Sequence, residues 1–193
     1  VTGLTLGTNI LEWTITSAGT CSSTTGTMTI QVDPATSIAN AGSNQTVCIS
    51  SPNATLAANT PTTGVGTWSV ISGTGVITNS LAANSTVTNL SLGTNILEWT
   101  ITSAGTCSST TSTMTIQVDP ATSIANAGSN QTVCISSPNA TLAANTPTTG
   151  TGTWSVLTGG GVVTSSTSAN TTVTGLTLGT NILEWTITSA GTC

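Results

Sequence analysis

Five cysteines are the most reactive side chains of this sequence, and their spacing is regular. They stand at positions 21, 48, 107, 134 and 193, so the intervals between them are 27, 59, 27 and 59 residues. Two thiols in each period, in a chain without histidine, indicate disulfides formed in an oxidising compartment rather than a zinc site. The candidates for pairing are therefore Cys21, Cys48, Cys107, Cys134 and Cys193.

The other ionisable groups exclude most kinds of catalysis and several kinds of partner. The chain contains five acidic residues and no Lys, Arg, His or Tyr, which gives a net charge of −5. General acid–base catalysis draws mainly on the residue types that are missing, so we predict that the protein is not an enzyme and needs no cofactor. Without cationic side chains it cannot neutralise nucleic-acid phosphates or an anionic membrane surface. No stretch approaches the roughly 20 apolar residues of a membrane-spanning helix.

Two of the acids, Asp33 and Asp119, precede prolines at the expected junctions between domains. Tandem β-sandwiches can bind Ca²⁺ at such junctions, but Ca²⁺ prefers six to eight oxygen ligands and usually several carboxylates. One aspartate at each junction therefore predicts no metal site. Glu98 and its copies Glu12 and Glu184 are expected to face solvent.

The elements that position these residues recur with a period of 86 residues. Residues 1–86 and 87–172 differ at 12 positions, and residues 173–193 repeat residues 1–21 without a change. This period suits one small β-sandwich for each repeat.

Prolines mark the expected limits of each sandwich, because proline ends the hydrogen-bonded pairing of a strand. Pro34 and Pro120 each follow a strand-like Thr-Met-Thr-Ile-Gln-Val segment. We therefore predict one complete domain at residues 33–118. Residues 1–32 are then the C-terminal part, strands E to G, of a preceding repeat, and residues 119–193 are a further repeat that lacks its last strand.

Alternating apolar and polar residues predict seven strands in the complete repeat and an all-β, immunoglobulin-like fold. They are Ser37–Cys48, with a candidate break near Gly42, Ala54–Asn59, Gly66–Ile71, Val76–Asn79, Thr86–Leu90, Asn95–Thr102 and Ser112–Val118. Trp68 and Trp99, with their copies Trp154 and Trp185, alternate in phase with Leu, Val and Ile. This phase favours burial in the core over the alternative, a row of exposed rings on which a sugar could stack.

Several segments resemble a known family of surface proteins. "AGSNQTVC", "GTWSV", "TVTGLTLGTN" and "EWTIT…GTC" are similar to PKD-like and immunoglobulin-like tandem repeats of very large cell-surface adhesins of Bacteroidota. Adhesins of gliding motility, exported by the type IX secretion system, are members of that family. The resemblance implies an extracellular, cell-attached stalk or filament with no catalytic residues.

Two hypotheses of function follow from the repeats. In the first, identical sandwiches stack into a structural stalk or filament whose partners are neighbouring repeats and other copies in a fibre. In the second, each repeat is a module that binds a glycan or a surface. Most differences between the two periods fall in residues 65–85 and their copy at 151–171, which could mark such a binding face.

The cysteines can be paired in two ways. Pairing within repeats would join Cys48 to Cys107 and Cys134 to Cys193. However, Cys48 ends the first strand at the far end of its sandwich, whereas the sixth strand delivers Cys107 to the near end. A strand of about six residues spans roughly 20 Å, and a disulfide needs Cα atoms within about 7 Å of each other.

The order of strands in a linear stack favours a different bond. The turn after the sixth strand of one domain would abut the turn after the first strand of the domain before it, which places Cys193 beside Cys48. We therefore favour a bond between Cys48 and Cys193 across the junction. Cys21, Cys107 and Cys134 would then have partners outside the segment.

Overall fold

The computed structural model describes residues 1–193 and contains strands and turns but no helix. The strands are β1 Gly7–Ile15, β2 Thr24–Val32, β3 Gln45–Cys48, β4 Ala54–Thr55, β5 Val65–Ser72, β6 Val76–Ile77, β7 Thr86–Thr88, β8 Gly93–Thr102, β9 Thr110–Asp119, β10 Ala140–Ala143, β11 Thr151–Thr158, β12 Val162–Val163, β13 Asn170–Thr174 and β14 Ile182–Thr188. The molecule therefore has no helix that could cross a lipid bilayer.

Seven of these strands lie within residues 33–119 and form two sheets. One sheet has the order β3-β9-β8-β5, and the other has the order β4-β7-β6. Side chains of β8 and β9 alternate strictly between buried and partly exposed positions, as the period of two in the sequence requires. The predicted all-β, immunoglobulin-like fold is confirmed.

The first predicted strand, Ser37–Cys48, is interrupted near Gly42, as the sequence suggested, and is shorter than predicted. Only Gln45–Cys48 is a strand, and it pairs in parallel with β9. Before it, the backbone turns at Gly42, whose φ of +86° and close approach to Ala57 exclude a side chain. Upstream of Gly42, the amides of Ala39 and Ala41 donate to hydroxyl groups of β9 instead of to a neighbouring backbone.

Three other predicted strands are also shorter in the structure, and one of them, Val76–Asn79, is reduced to β6, Val76–Ile77. Ala54–Asn59 is reduced to β4, Ala54–Thr55, although the amides of Leu56 and Ala58 still donate to backbone carbonyls. Thr86–Leu90 ends at Thr88, because Asn89 has a φ of +57° in the left-handed region. Glycine occupies the copies of this position, Gly3 and Gly175, which also have positive φ. Asn and Gly are the residues that tolerate this conformation best, which explains the substitution between periods.

Residues 140–188 repeat part of this arrangement. The strands form a three-stranded sheet, β10-β13-β12, and a two-stranded sheet, β11-β14. Trp154 lies opposite Trp185 in the β11–β14 pair, as Trp68 lies opposite Trp99 in the β5–β8 pair. The segment 131–134, which matches β3 in sequence, is not a strand here.

Paired tryptophans occupy the centre of the core. Trp68 and Trp99 are 2% and 1% exposed, and their ring centroids are 5.2 Å apart. Trp154 and Trp185 are each 4% exposed, with centroids 5.3 Å apart. Because all four rings are enclosed, none of them offers a sugar-stacking surface.

The glutamates of β1, β8 and β14 lie on the strand faces opposite the core. Glu12 and Glu184 are exposed, as expected, whereas Glu98 is half-buried and accepts a hydrogen bond from the Thr100 hydroxyl. Trp13 is also exposed: it is the copy of Trp99 in the β1–β2 hairpin, and 74% of it is accessible.

Contacts between Cα atoms group the chain into two compact units whose limits differ from Asp33 and Asp119. The first comprises Val1–Asn44, Thr55–Thr88 and Ile96–Thr115, and the second comprises Gln45–Ala54, Asn89–Asn95 and Ile116–Cys193. The second unit is held together by backbone hydrogen bonds such as Leu90 N–H to the Pro52 carbonyl and by a disulfide. Boundaries at Asp33 and Asp119 remain predictions from the sequence.

Candidate functional site at the Cys48–Cys193 disulfide

A disulfide joins Cys48, the last residue of β3, to Cys193, beyond the end of β14. The bond connects residues 145 positions apart, with Cα atoms 4.9 Å apart, which is within the normal range. Cys48 and Cys193 are the pair that the strand order favours. The alternative bonds Cys48–Cys107 and Cys134–Cys193 are not formed, and Cys21, Cys107 and Cys134 are free.

The parallel pairing of β3 with β9 places Cys48 at this site. Cys48 lies opposite Asp119 in the register, and the next amide, of Ile49, donates to the Asp119 carbonyl at 2.9 Å. The chain then turns back, with the Ser51 amide donating to the Cys48 carbonyl at 3.0 Å. The Ser50 hydroxyl lies 3.0 Å from the Cys48 sulfur. Cys48 is thus fixed at the end of β9.

The carboxylate of Asp119 holds the loop that carries Cys193. It accepts hydrogen bonds from the Thr192 amide at 3.1 Å and from the Thr192 hydroxyl at 3.3 Å. The neighbouring residue is Gly191, where an added Cβ would lie 2.2 Å from a carboxylate oxygen of Asp119. The Cys193 sulfur lies 3.3 Å from the Asp119 carbonyl oxygen. We call the pair Asp119 and Thr192 the Asp119 clamp.

The same arrangement occurs one period earlier, at Asp33. The Asp33 carboxylate accepts from the Thr106 amide at 2.9 Å and from the Thr106 hydroxyl at 3.1 Å. These two hydrogen bonds lower the pKa of Asp33, and the bond from the amide has the larger effect. Cys107 follows, with its sulfur 3.7 Å from the Asp33 carbonyl oxygen. Because Cys107 is free, the loop adopts this form without a disulfide.

The turn that follows β3 recurs one period later, at residues 134–137, where the cysteine is unpaired. Cys134 is exposed, and its sulfur accepts a hydrogen bond from the Ser136 hydroxyl at 3.1 Å. That hydroxyl, followed by the Ser136 amide, lowers the pKa of the Cys134 thiol. The turn therefore favours the thiolate, the form that reacts in disulfide formation.

Neither aspartate belongs to a cluster that could hold a metal ion. No group of three or more His, Cys, Asp or Glu side chains with suitable proximity occurs in the structure. Asp33 and Asp119 are engaged with threonine donors instead, which gives these carboxylates a structural use.

A separate open groove of about 590 Å³ lies in residues 127–183. Its lining includes Val133 and Ile135, and also Ile182 and Leu183 of β14, a strand that is paired only with β11. In residues 33–119 the corresponding strand, β8, has a second neighbour, β9. There Ile116 and Val118 are fully buried. The groove therefore has the position that a strand like β9 would occupy.

Two polar arrangements were not identified from the sequence. The Asp–Thr contacts span 73 residues, and only the recurrence of both residues at one period could have indicated them. Asn95 is fully buried, and its amide donates to the carbonyls of Ser91 and Ile116. Asn9 and Asn181 make the equivalent local contact with Thr5 and Thr177. The invariant Asn-Ile-Leu-Glu-Trp segment was the available signal for this asparagine.

Comparison with known proteins gives few matches. No protein-family model and no curated protein matches the chain. Part of the chain is similar to the solution structure of the PKD domain from the KIAA 1837 protein, with a TM-score of 0.38 and 18% identity over 46% of this chain and 91% of that domain. It is also similar to the PKD domain (329-428) from human KIAA0319, with a TM-score of 0.37 and 18% identity over 49% of this chain and 88% of that domain. These values are too low to carry a functional conclusion.

Proposed function

We propose that this chain is a structural segment of an extracellular stalk or filament, in which successive sandwiches are joined by disulfides. Its partners are neighbouring repeats of the same chain and, in a fibre, other copies. The near-identity of the two periods supports this role, because each repeat then carries the same load. The resemblance to repeats of Bacteroidota gliding-motility adhesins supports a cell-surface location. No catalytic role is proposed.

The observation that carries this proposal is the bond between Cys48 and Cys193. A force applied to the two ends of the chain would pass through residues 1–48 and then directly through the disulfide. The 145-residue separation between the cysteines would bear no load. An extended chain spans at most about 3.3–3.6 Å per residue, so the bond withholds roughly 500 Å of extension. A junction of this kind keeps a stalk at constant length under tension.

Single-molecule pulling tests this property. The chain is held by tags fused to its two termini and stretched with and without a thiol reductant. We expect the fully stretched reduced chain to be longer than the oxidised chain by roughly 500 Å, the length that the disulfide withholds.

Two matched variants identify the bond responsible. Cys48→Ser should extend like the reduced chain in the absence of reductant. Cys134→Ser changes the same position one period later and should extend like the oxidised chain. Equal extension of Cys48→Ser and the unchanged chain would contradict the proposed function.

A second candidate function is recognition of a glycan or a surface by each repeat. Exposed apolar residues at variable positions favour it: Val65, Ile71 and Leu81 are 55%, 56% and 64% accessible, and two of them become threonine in the copy. Val65 and Ile71 belong to β5, an edge strand of its sheet. Binding of the chain to a glycan array, abolished by changing these three residues to serine, would support this function over the structural one.

A further inference from the structure

Asp119 makes hydrogen bonds, through two different groups, to the residues that adjoin the two cysteines of the disulfide. Its carbonyl oxygen accepts from the Ile49 amide, which adjoins Cys48, at 2.9 Å. Its carboxylate accepts from the amide and hydroxyl of Thr192, which adjoins Cys193. The two cysteines are 145 residues apart in the sequence, yet one residue orients the segments that carry both.

We propose that Asp119 is a positioning residue that selects Cys193 as the partner of Cys48. The inference rests on the proposed disulfide-linked junction for its biological meaning, but it concerns how the bond forms rather than what load it bears. The main chain of Asp119 sets the place of Cys48 through the β3–β9 register, and the clamp brings the Cys193 loop to the same point.

The equivalent site at Asp33 shows that the contact between aspartate and threonine forms without a disulfide. The Asp33 carboxylate binds the loop of Cys107 in the same way, although Cys107 has no disulfide partner. The contact between the aspartate and the loop therefore does not require the bond. It follows that the Asp119 clamp can form first and present Cys193 to Cys48.

Bond formation with a small disulfide such as oxidised glutathione then proceeds in two exchanges. The Cys48 thiolate attacks one sulfur of glutathione disulfide and releases one glutathione thiolate, leaving a mixed disulfide on Cys48. The Cys193 thiolate attacks the Cys48 sulfur and releases the second glutathione thiolate. The two protons lost by the cysteines are taken up by the two glutathione thiolates. Asp119 increases both the rate and the equilibrium constant of the second exchange, because that step requires Cys193 beside Cys48.

The test measures the effective concentration of Cys193 at Cys48. The reduced chain is equilibrated in buffers of varied reduced and oxidised glutathione, quenched with acid and digested without reduction by a glutamate-specific protease. Cleavage after Glu12, Glu98 and Glu184 gives fragments 13–98, 99–184 and 185–193. The chain and all its variants carry Cys21→Ser and Cys134→Ser, so that each of the first two fragments holds one cysteine. A bond from Cys48 to Cys193 then links the first of these fragments to the last, whereas Cys48–Cys107 links the first to the second.

The central variants remove the carboxylate at each site. Asp119→Ala should lower the effective concentration of the Cys48–Cys193 pair about ten-fold, because hydrogen bonds to a charged acceptor are lost. It should also raise the fraction of Cys48 linked to fragment 99–184. Asp33→Ala removes an identical clamp elsewhere and should leave the Cys48–Cys193 pair unchanged. The effective concentration in Asp119→Asn should lie between the values for Asp119→Ala and the unchanged chain, because the asparagine amide oxygen still accepts a hydrogen bond.

Thr192→Val provides a second test that remains valid if the Asp119 variants fold poorly. It deletes one donor to the carboxylate and leaves the aspartate in place, so a drop of about three-fold is expected, with none for Thr106→Val. The proposal is overturned if Asp119→Ala and Thr192→Val both form the Cys48–Cys193 bond at the unchanged effective concentration. It is also overturned if Asp33→Ala weakens that bond as much as Asp119→Ala does. Either result is independent of whether the bond bears load in the pulling experiment.

Discussion

Tryptophans at equivalent positions of two repeats lie in opposite environments in this molecule. Trp99 is 1% exposed beside Trp68, while its sequence copy Trp13 is 74% exposed in the β1–β2 hairpin. Gly66 shows how closely the buried ring fits, since an added Cβ there would lie 2.0 Å from the Trp99 ring. At the scale of the residue, burial and not identity therefore determines what a side chain contributes to stability.

This pair gives a prediction with an internal control. Trp99→Ala should lower the free energy of unfolding by about 3–5 kcal/mol, because a large buried side chain is lost and a cavity remains. Trp13→Ala removes the same atoms from an exposed position and should change it by less than about 0.5 kcal/mol. Urea denaturation followed by circular dichroism measures both. Equal losses in the two variants would show that Trp99 is not part of the core.

At the scale of the element, alternation of side chains was sufficient to find all seven strands of residues 33–119. It could not give the ends of the shorter ones, because these depend on distant atoms. The break near Gly42 was indicated by the glycine itself, but its close approach to the Ala57 carbonyl and the bonds of the preceding segment to hydroxyl groups of β9 were not. Local pattern contains no information about such contacts.

The candidate site was predictable to the same extent. Strand order and strand length were enough to predict the pairing of Cys48 with Cys193. The stack of domains on which that argument relied stays a prediction. The clamp that orients Cys193 was not foreseen, because Asp119 and Thr192 are 73 residues apart and both are common surface residues. The period of the sequence contained the signal, since Asp33 and Thr106 have the same separation.

A prediction at this scale concerns the groove beside β14. Appending a copy of residues 108–119 after Cys193 should supply a strand like β9 and pair with the open edge of β14. Its Met, Ile and Val side chains would be buried as Met114, Ile116 and Val118 are, which stabilises by several kcal/mol at roughly 1.5–3 kcal/mol for each side chain. Amide hydrogen exchange in Ile182–Thr188 should slow markedly. As a control, the same extension with these three residues changed to serine should leave exchange fast, and equal rates in both would refute strand pairing.

At the scale of the whole molecule, the disulfide replaces an interaction that the composition cannot provide. Five acids and no cations leave no ion pairs between side chains to tie separate parts of the chain together. The bond closes a loop with a sequence separation of 145 residues, one of the largest constraints that a chain of 193 residues can carry. Its effect on stability should therefore exceed that of any single core contact in the second compact unit.

The size of that effect can be predicted from the loop. Closing a loop of this length removes conformational entropy from the unfolded chain equivalent to about 5 kcal/mol at 25 °C, which is an upper value because strain and residual structure reduce it. Chemical denaturation of the oxidised chain should therefore have a midpoint well above that of the reduced chain. Cys48→Ser without reductant should match the reduced chain, since it lacks the same bond. Cys134→Ser, one period later, should match the oxidised chain and should lose stability on reduction by the same amount. If Cys48→Ser denatures at the midpoint of the oxidised chain, the bond does not constrain the unfolded state, and the stability of the second compact unit must come from its hydrogen bonds and apolar contacts alone.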